Sequence, residues 1–216
     1  MLFRSKLVMD AKGFFTDIKL VPVVTLERHE NAVDLALCLR DAGIRAIEVT
    51  LRTESALKAI ELIADAVPDV HVGAGSVRVA EQISMIRERG AQFAVSPGHS
   101  QSLINQVKAA GMPFVPGAAT ATEMLALREN GYSLMKFFPA ELLGGTKMLK
   151  ALSAPLPEIR FFPTGGISAD LVQDYLKLGC VSCVGGSWFI PVELLEAKRF
   201  NDIKTLTQSA LQLSHV

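Results

Sequence analysis

The sequence predicts an α/β fold: eight parallel strands alternating with helices and closed into a (β/α)8 barrel, with a leading helix over residues 1–18 covering the barrel bottom. Two observations carry this expectation. Amphipathic segments repeatedly end in a glycine (Gly43, Gly90, Gly111, Gly131, Gly179) that is followed at once by a short apolar run. Glycine closes a helix by taking up the left-handed conformation, and here it also launches a strand. The far ends of the runs carry polar or glycine-rich signatures: P-V-V-T, E-V-T-L-R, V-G-A-G-S, S-P-G, V-P-G, F-F-P-A-E, P-T-G-G and V-G-G-S.

Taken in order, the strands are expected near 20–25, 44–50, 69–74, 91–96, 112–117, 132–138, 158–164 and 180–185. Their spacing leaves room for one helix between neighbours. Segment 55–67 illustrates these helices, with Leu57, Ile60, Ile63, Ala64 and Val67 on one face. Strict alternation of strands and helices requires a parallel sheet with right-handed crossovers. Periodicity alone also fits an open doubly wound sheet. Eight units favour the closed barrel, compact beside the roughly 250 residues typical of that fold. No linker or low-complexity segment interrupts the chain, so 1–216 is read as a single domain.

Composition narrows the function. Lys plus Arg and Asp plus Glu both total 22, leaving no basic surplus for nucleic acid or an anionic membrane. Arg4, Lys6, Asp10 and Lys12 break up the N-terminus, and no apolar span has signal-peptide or membrane length. Three cysteines are too few for a disulfide framework. Cys180 and Cys183 spell C-V-S-C, yet in a strand that spacing sends them to opposite faces. A cytoplasmic, reduced protein is expected. No cofactor is expected, and the histidines at 29, 71, 99 and 215 have no metal-binding spacing, so no metal is expected either. His99 lies near the barrel mouth as a possible substrate contact, and His71 reads as a hydrogen-bonded structural residue.

In such barrels chemistry sits at the carboxyl ends of the strands. The second strand end holds Glu48, facing the same way as Ala46 and Thr50, with Arg52 just beyond. A carboxylate inside a strand is costly without a use, although a local Glu48–Arg52 ion pair is an alternative. The sixth holds Lys136 among Leu134, Met135, Phe137 and Phe138. Only about one free lysine in 2,500 is neutral at pH 7, and apolar surroundings favour the neutral amine. A free amine attacks ketones to form a Schiff base; alternatively the side chain snorkels past Pro139 to water. The last two ends, with Thr164, Gly165 and Gly166 and with Gly185, Gly186 and Ser187, suit a phosphate cradle.

The set E-V-T-L-R-T, V-G-A-G, S-P-G, K-F-F-P-A-E, P-T-G-G-I-S and G-G-S-W, spread from Pro22 to Glu196, resembles the 2-keto-3-deoxy-6-phosphogluconate and 4-hydroxy-2-oxoglutarate aldolases. The resemblance implies a metal-free homotrimeric class I aldolase acting on a phosphorylated 2-keto acid. It implies that Lys136 forms the Schiff base and Glu48 moves protons. Arg52 and the hydroxyl of Ser76 would hold the pyruvate carboxylate, with Pro97 and Phe138 also lining the substrate. Two departures stand out: relatives usually carry threonine where Ser76 stands, and P-G-I-S-T where this chain reads P-G-A-A-T with Ala119. Other 2-keto acids, β-keto acid decarboxylation by the same imine, and a non-catalytic phosphosugar-binding barrel remain alternatives.

Overall fold

The computed structural model describes residues 11–214. Strands β1 (Leu20–Val24), β2 (Ala46–Thr50), β3 (His71–Gly75), β4 (Phe93–Val95), β5 (Phe114–Val115), β6 (Leu134–Phe137), β7 (Arg160–Pro163) and β8 (Val184–Gly186) all pair in parallel. Helices fill the intervals: α1 (Ala32–Ala42), α2 (Ala56–Ala66), α3 (Glu81–Glu88), α4 (Gln101–Ala110), α5 (Ala121–Glu129), α6 (Gly145–Ser153) and α7 (Val172–Leu176). After β8 come the short α8 (Val192–Glu196) and α9 (Phe200–Ser214), which packs on α1.

Six strands run continuously in the order β5-β4-β3-β2-β1-β8, and β6 pairs with β7. Two joints close the circle. The Lys136 amide donates to the Pro116 carbonyl at 2.8 Å and the Ala118 amide to the Lys136 carbonyl at 3.0 Å. On the other side the Phe161 amide donates to the Cys180 carbonyl at 2.8 Å. Every strand therefore neighbours its sequence neighbours, as a closed barrel requires and an open doubly wound sheet does not.

Alternation along each strand sorts the core into two layers. Val21, Ala46, Phe93, Val95, Val115, Leu134, Phe162 and Cys183 fill the barrel interior. Ile47, Val49, Val72, Ala74, Met135, Phe137 and Phe161 face the helices. The α2 face predicted from periodicity is the one that packs, with Ile60 and Ile63 buried and Leu57 and Ala64 against the core. Gly43 and Gly111 cap their helices at positive φ (110° and 62°), each amide returning to carbonyls of the last turn. Gly179 differs, because no positive φ is found there.

The strands are shorter than the apolar runs suggest. Pro113 and Pro116 flank β5 and restrict its ladder to two residues. The run C-V-S-C-V enters its strand only at Val184, with Val181 making a single bridge to Phe161. Cys183 belongs to the barrel interior and Cys180 packs partly buried on the helix layer. Burial pushes the Cys183 thiol well above its ordinary range and the Cys38 thiol up to about 11. All three cysteines are free.

Residues 1–10 of the expected leading helix lie outside the described residues. Residues 11–17 form turns, not a regular helix: the Thr16 hydroxyl donates to the Lys12 and Gly13 carbonyls, competing with the helical ladder. They nevertheless cover the barrel bottom, since Ala11 and Phe15 are fully buried and the Phe15 ring packs on Phe93 and Phe162.

Candidate active site

The inward positions nearest the carboxyl ends hold the polar groups. On β2 the interior sequence is Ala46, Glu48, Thr50; on β6 it is Leu134, then Lys136. Glu48 is fully buried and Lys136 is 5% exposed. Lys136 Nζ donates to Glu48 Oε1 at 3.0 Å across the barrel. A carboxylate within hydrogen-bond reach of the amine explains why an apolar strand tolerates a lysine. The Nζ also lies 5.5 Å from the Phe138 ring centroid. Both local readings of these residues give way: Glu48 pairs with Lys136, not with Arg52, and the lysine head stays inside.

The second carboxylate oxygen, Glu48 Oε2, is buried and has no hydrogen-bond partner. A buried acceptor left open beside an amine is equipped to take a proton from a third group. Room for this carboxylate is made by Gly75 on the neighbouring strand. A Cβ there would lie 2.6 Å from the Glu48 carboxyl carbon and overlap Oε1. Its partner in V-G-A-G, Gly73, makes way for the Phe93 ring. Gly75 is not singled out by the sequence: alternation gives its inward facing, but its approach to Glu48 depends on the pairing of β2 with β3. Gly75→Ala is expected to push the carboxylate off the lysine. Cleavage should fall by about 10²–10³-fold in kcat, with about 1–3 kcal/mol lost in a urea melt from overpacking.

A cavity of about 230 Å³ opens at this end, lined by Arg52, Lys136, Phe138, Thr164, Gly165, Gly185, Gly186 and Ser187, among others. Eight sequence-selected residues from four strand ends thus meet in one recess. Thr164 Oγ1 is buried in the lining and has no hydrogen-bond partner within the protein. Gly185 is required by Thr164 and Phe162, and Gly186 by the Trp188 ring, which would occupy the volume of any Cβ. Gly166 lies behind the lining, and its α-carbon faces Glu141.

Arg52 borders a second hollow with Ser76, Arg78 and Pro97. Its Nε donates to Ser76 Oγ at 3.1 Å. Ser76 has φ 55°, in the left-handed region, where a β-branched residue is more strained than serine. The rotamer that a threonine methyl would fix is held here by Arg52.

Other residues that the sequence draws attention to lie away from the cavity. His99 Nδ1 bonds the Gly117 carbonyl at 3.0 Å and does not line the cavity. Ala119 also lies off the cavity, its amide bound to Glu123 Oε2 at 2.9 Å in the α5 capping box. His71 is hydrogen-bonded, through Gln92, but it is exposed. Glu141 ties the β6 loop to the β7 loop, its amide donating to the Gly165 carbonyl at 3.1 Å and its carboxylate accepting from Tyr175. Burial and that carboxylate raise the Tyr175 hydroxyl far above its usual range. Among the described residues, no three histidine, cysteine or acidic side chains gather as metal ligands.

A (β/α)8 barrel with a sequestered lysine–carboxylate pair at its mouth, an arginine beside it and a glycine-lined recess defines an imine-forming lyase. The chain belongs to the KDPG and KHG aldolase family, whose sequence pattern matches residues 12–206. It is 42% identical over 202 residues to the KHG/KDPG aldolase of Escherichia coli K12, covering 94% of this chain and 95% of the relative. It is 43% identical over 201 residues to a 2-dehydro-3-deoxy-phosphogluconate aldolase of Dickeya dadantii, covering 93% and 94%. Among solved structures, the KDPG aldolase of Legionella pneumophila, with pyruvate captured at low pH as a covalent carbinolamine, matches with a TM-score of 0.90. That match has 38% identity and covers 93% of this chain and 98% of the other. The Zymomonas mobilis ZM4 enzyme with 3-phosphoglycerate matches with a TM-score of 0.89 at 34% identity, covering 94% and 95%.

Proposed function

We propose that Lys136 carries out class I aldol cleavage of 2-keto-3-deoxy-6-phosphogluconate to pyruvate and glyceraldehyde 3-phosphate, with Glu48 as proton carrier. The observation that carries this reading is the buried 3.0 Å contact of Lys136 Nζ with Glu48 Oε1. Moving a proton across that bond frees the amine without recourse to solvent. The amine attacks C2 of the keto acid, and Glu48 returns the proton to the carbinolamine oxygen, which leaves as water. The resulting iminium is an electron sink. Glu48, again a carboxylate, takes the proton of the C4 hydroxyl; the C3–C4 bond breaks and its electrons pass to the iminium nitrogen. Glyceraldehyde 3-phosphate departs. Glu48 then protonates C3 of the enamine, and water releases pyruvate and the amine.

Arg52, held by Ser76, is suited to the pyruvate carboxylate. Thr164, Gly165, Gly185, Gly186 and Ser187 are suited to the distal phosphate, which fixes C4 relative to the base. The same steps apply to 4-hydroxy-2-oxoglutarate, giving glyoxylate. Incubation with pyruvate followed by borohydride should add one reduced pyruvyl group, located on Lys136 by peptide mapping. An unmodified Lys136 sinks the mechanism.

A homotrimer is part of the proposal. It is supported by membership of the family that the sequence motifs resemble. A monomer in light scattering overturns it. A cytoplasmic setting is supported by the free thiols, and no helix among the described residues is long and apolar enough to cross a membrane.

A further inference from the structure

Five polar side chains line the cavity at the barrel mouth: Thr25, Arg52, Lys136, Thr164 and Ser187. Four of them have a place in the reading above. Thr25, just past the end of β1, has none. Its hydroxyl pairs with Thr50 Oγ1 at 2.8 Å, and Thr50 is only 1% exposed, so the Thr25 side chain is held in one orientation. A hydroxyl offers one donor and two acceptor sites. Whichever partner donates within the pair, Thr25 keeps hydrogen-bonding capacity beyond it, and the residue lines the cavity.

The strand order says what it faces. β1 lies between β2 and β8, with Val23 opposite Glu48 on one side and Pro22 opposite Gly186 on the other. Thr25 is therefore set one step beyond Glu48 toward the mouth, between the proton carrier and the β8 glycines. A substrate joined to Lys136 at C2 and anchored by its C6 phosphate at β7 and β8 carries two hydroxyls in between. The C4 hydroxyl belongs to Glu48. The C5 hydroxyl remains.

We propose that Thr25 is a specificity residue that hydrogen-bonds the C5 hydroxyl of a 2-keto-3-deoxy-6-phospho sugar acid. In the condensation direction this group is the 2-hydroxyl of the incoming aldehyde phosphate. The inference rests on the aldolase reading. A threonine that merely latches β1 to β2 treats all aldehydes alike, whereas a hydroxyl reader does not. A site built to bond a hydroxyl discriminates against analogues that lack it.

The test is condensation of pyruvate with D-glyceraldehyde 3-phosphate and with 3-oxopropyl phosphate, the same aldehyde without its hydroxyl. Wild type should prefer the hydroxylated aldehyde by about 10–100-fold in kcat/KM. Thr25→Val should lose that factor on glyceraldehyde 3-phosphate and stay within about threefold on the deoxy aldehyde. Thr25→Ser, which keeps the hydroxyl, should retain most of the preference. The proposal is overturned by a wild type without preference, by a preference that survives Thr25→Val, or by equal losses on both aldehydes. Borohydride trapping of pyruvate alone keeps the two ideas separate. If trapping fails in wild type the aldolase reading falls, while a trapped enzyme with an unchanged aldehyde ratio in Thr25→Val removes only the role of Thr25.

Discussion

Replacing Lys136 with methionine should abolish the reduced pyruvate adduct and lower cleavage by about 10⁴–10⁶-fold in kcat, as expected for loss of a covalent nucleophile. Methionine keeps the apolar stem but removes the amine, so the barrel should still fold. It also removes the partner of a fully buried Glu48. Breaking a buried pair from one side is destabilising by about 3–5 kcal/mol, which for a chain of this size lowers the melting temperature by of the order of 10 °C. A coupled assay, an adduct map and a thermal melt read these outcomes together. Residual cleavage near the wild-type rate refutes the nucleophile assignment, whatever the melt shows.

Glu48→Gln makes the opposite cut. The amide fills nearly the same space between Lys136 and Gly75 but cannot carry a proton through the cycle. We expect kcat to fall by about 10²–10⁴-fold, the range typical of a lost general acid/base. Exchange of the pyruvate methyl protons with deuterium, which reports enamine protonation at C3, should slow with it. An exchange rate equal to wild type alongside impaired cleavage confines Glu48 to the C4 hydroxyl and assigns C3 protonation elsewhere. Cleavage within a few-fold of wild type removes Glu48 from the mechanism. The two substitutions are not additive, because both groups serve one proton exchange across one hydrogen bond.

Much of this molecule is legible before any coordinates. The eight strands and their parallel order follow from the alternation of apolar runs and amphipathic helices. The facing of Glu48 and Lys136 follows from the two-residue period of a strand. The motif set names the family. The limits of the strands were less legible, because prolines at 113 and 116 and the turn before Val184 act on the ladder and not on hydrophobicity. The placement of His99 was less legible for a related reason. Nearness to a strand end in sequence does not say whether a side chain turns toward the cavity or, like His99, toward a neighbouring carbonyl.

The amino-acid sequence by itself determined which residues are inward, which strand ends carry chemistry and that a lysine stands in an apolar strand. Local periodicity is enough for each of these. Only the tertiary structure decided who meets whom. Closing the sheet brings Lys136 across to Glu48, 88 positions away in the chain, and leaves Glu48 Oε2 open. It also sets Gly75 where any side chain would overlap that carboxylate, and Thr25 beside Thr50 on the wall of the cavity. These are contacts between strands, fixed by register and barrel closure, and no property of either segment alone contains them.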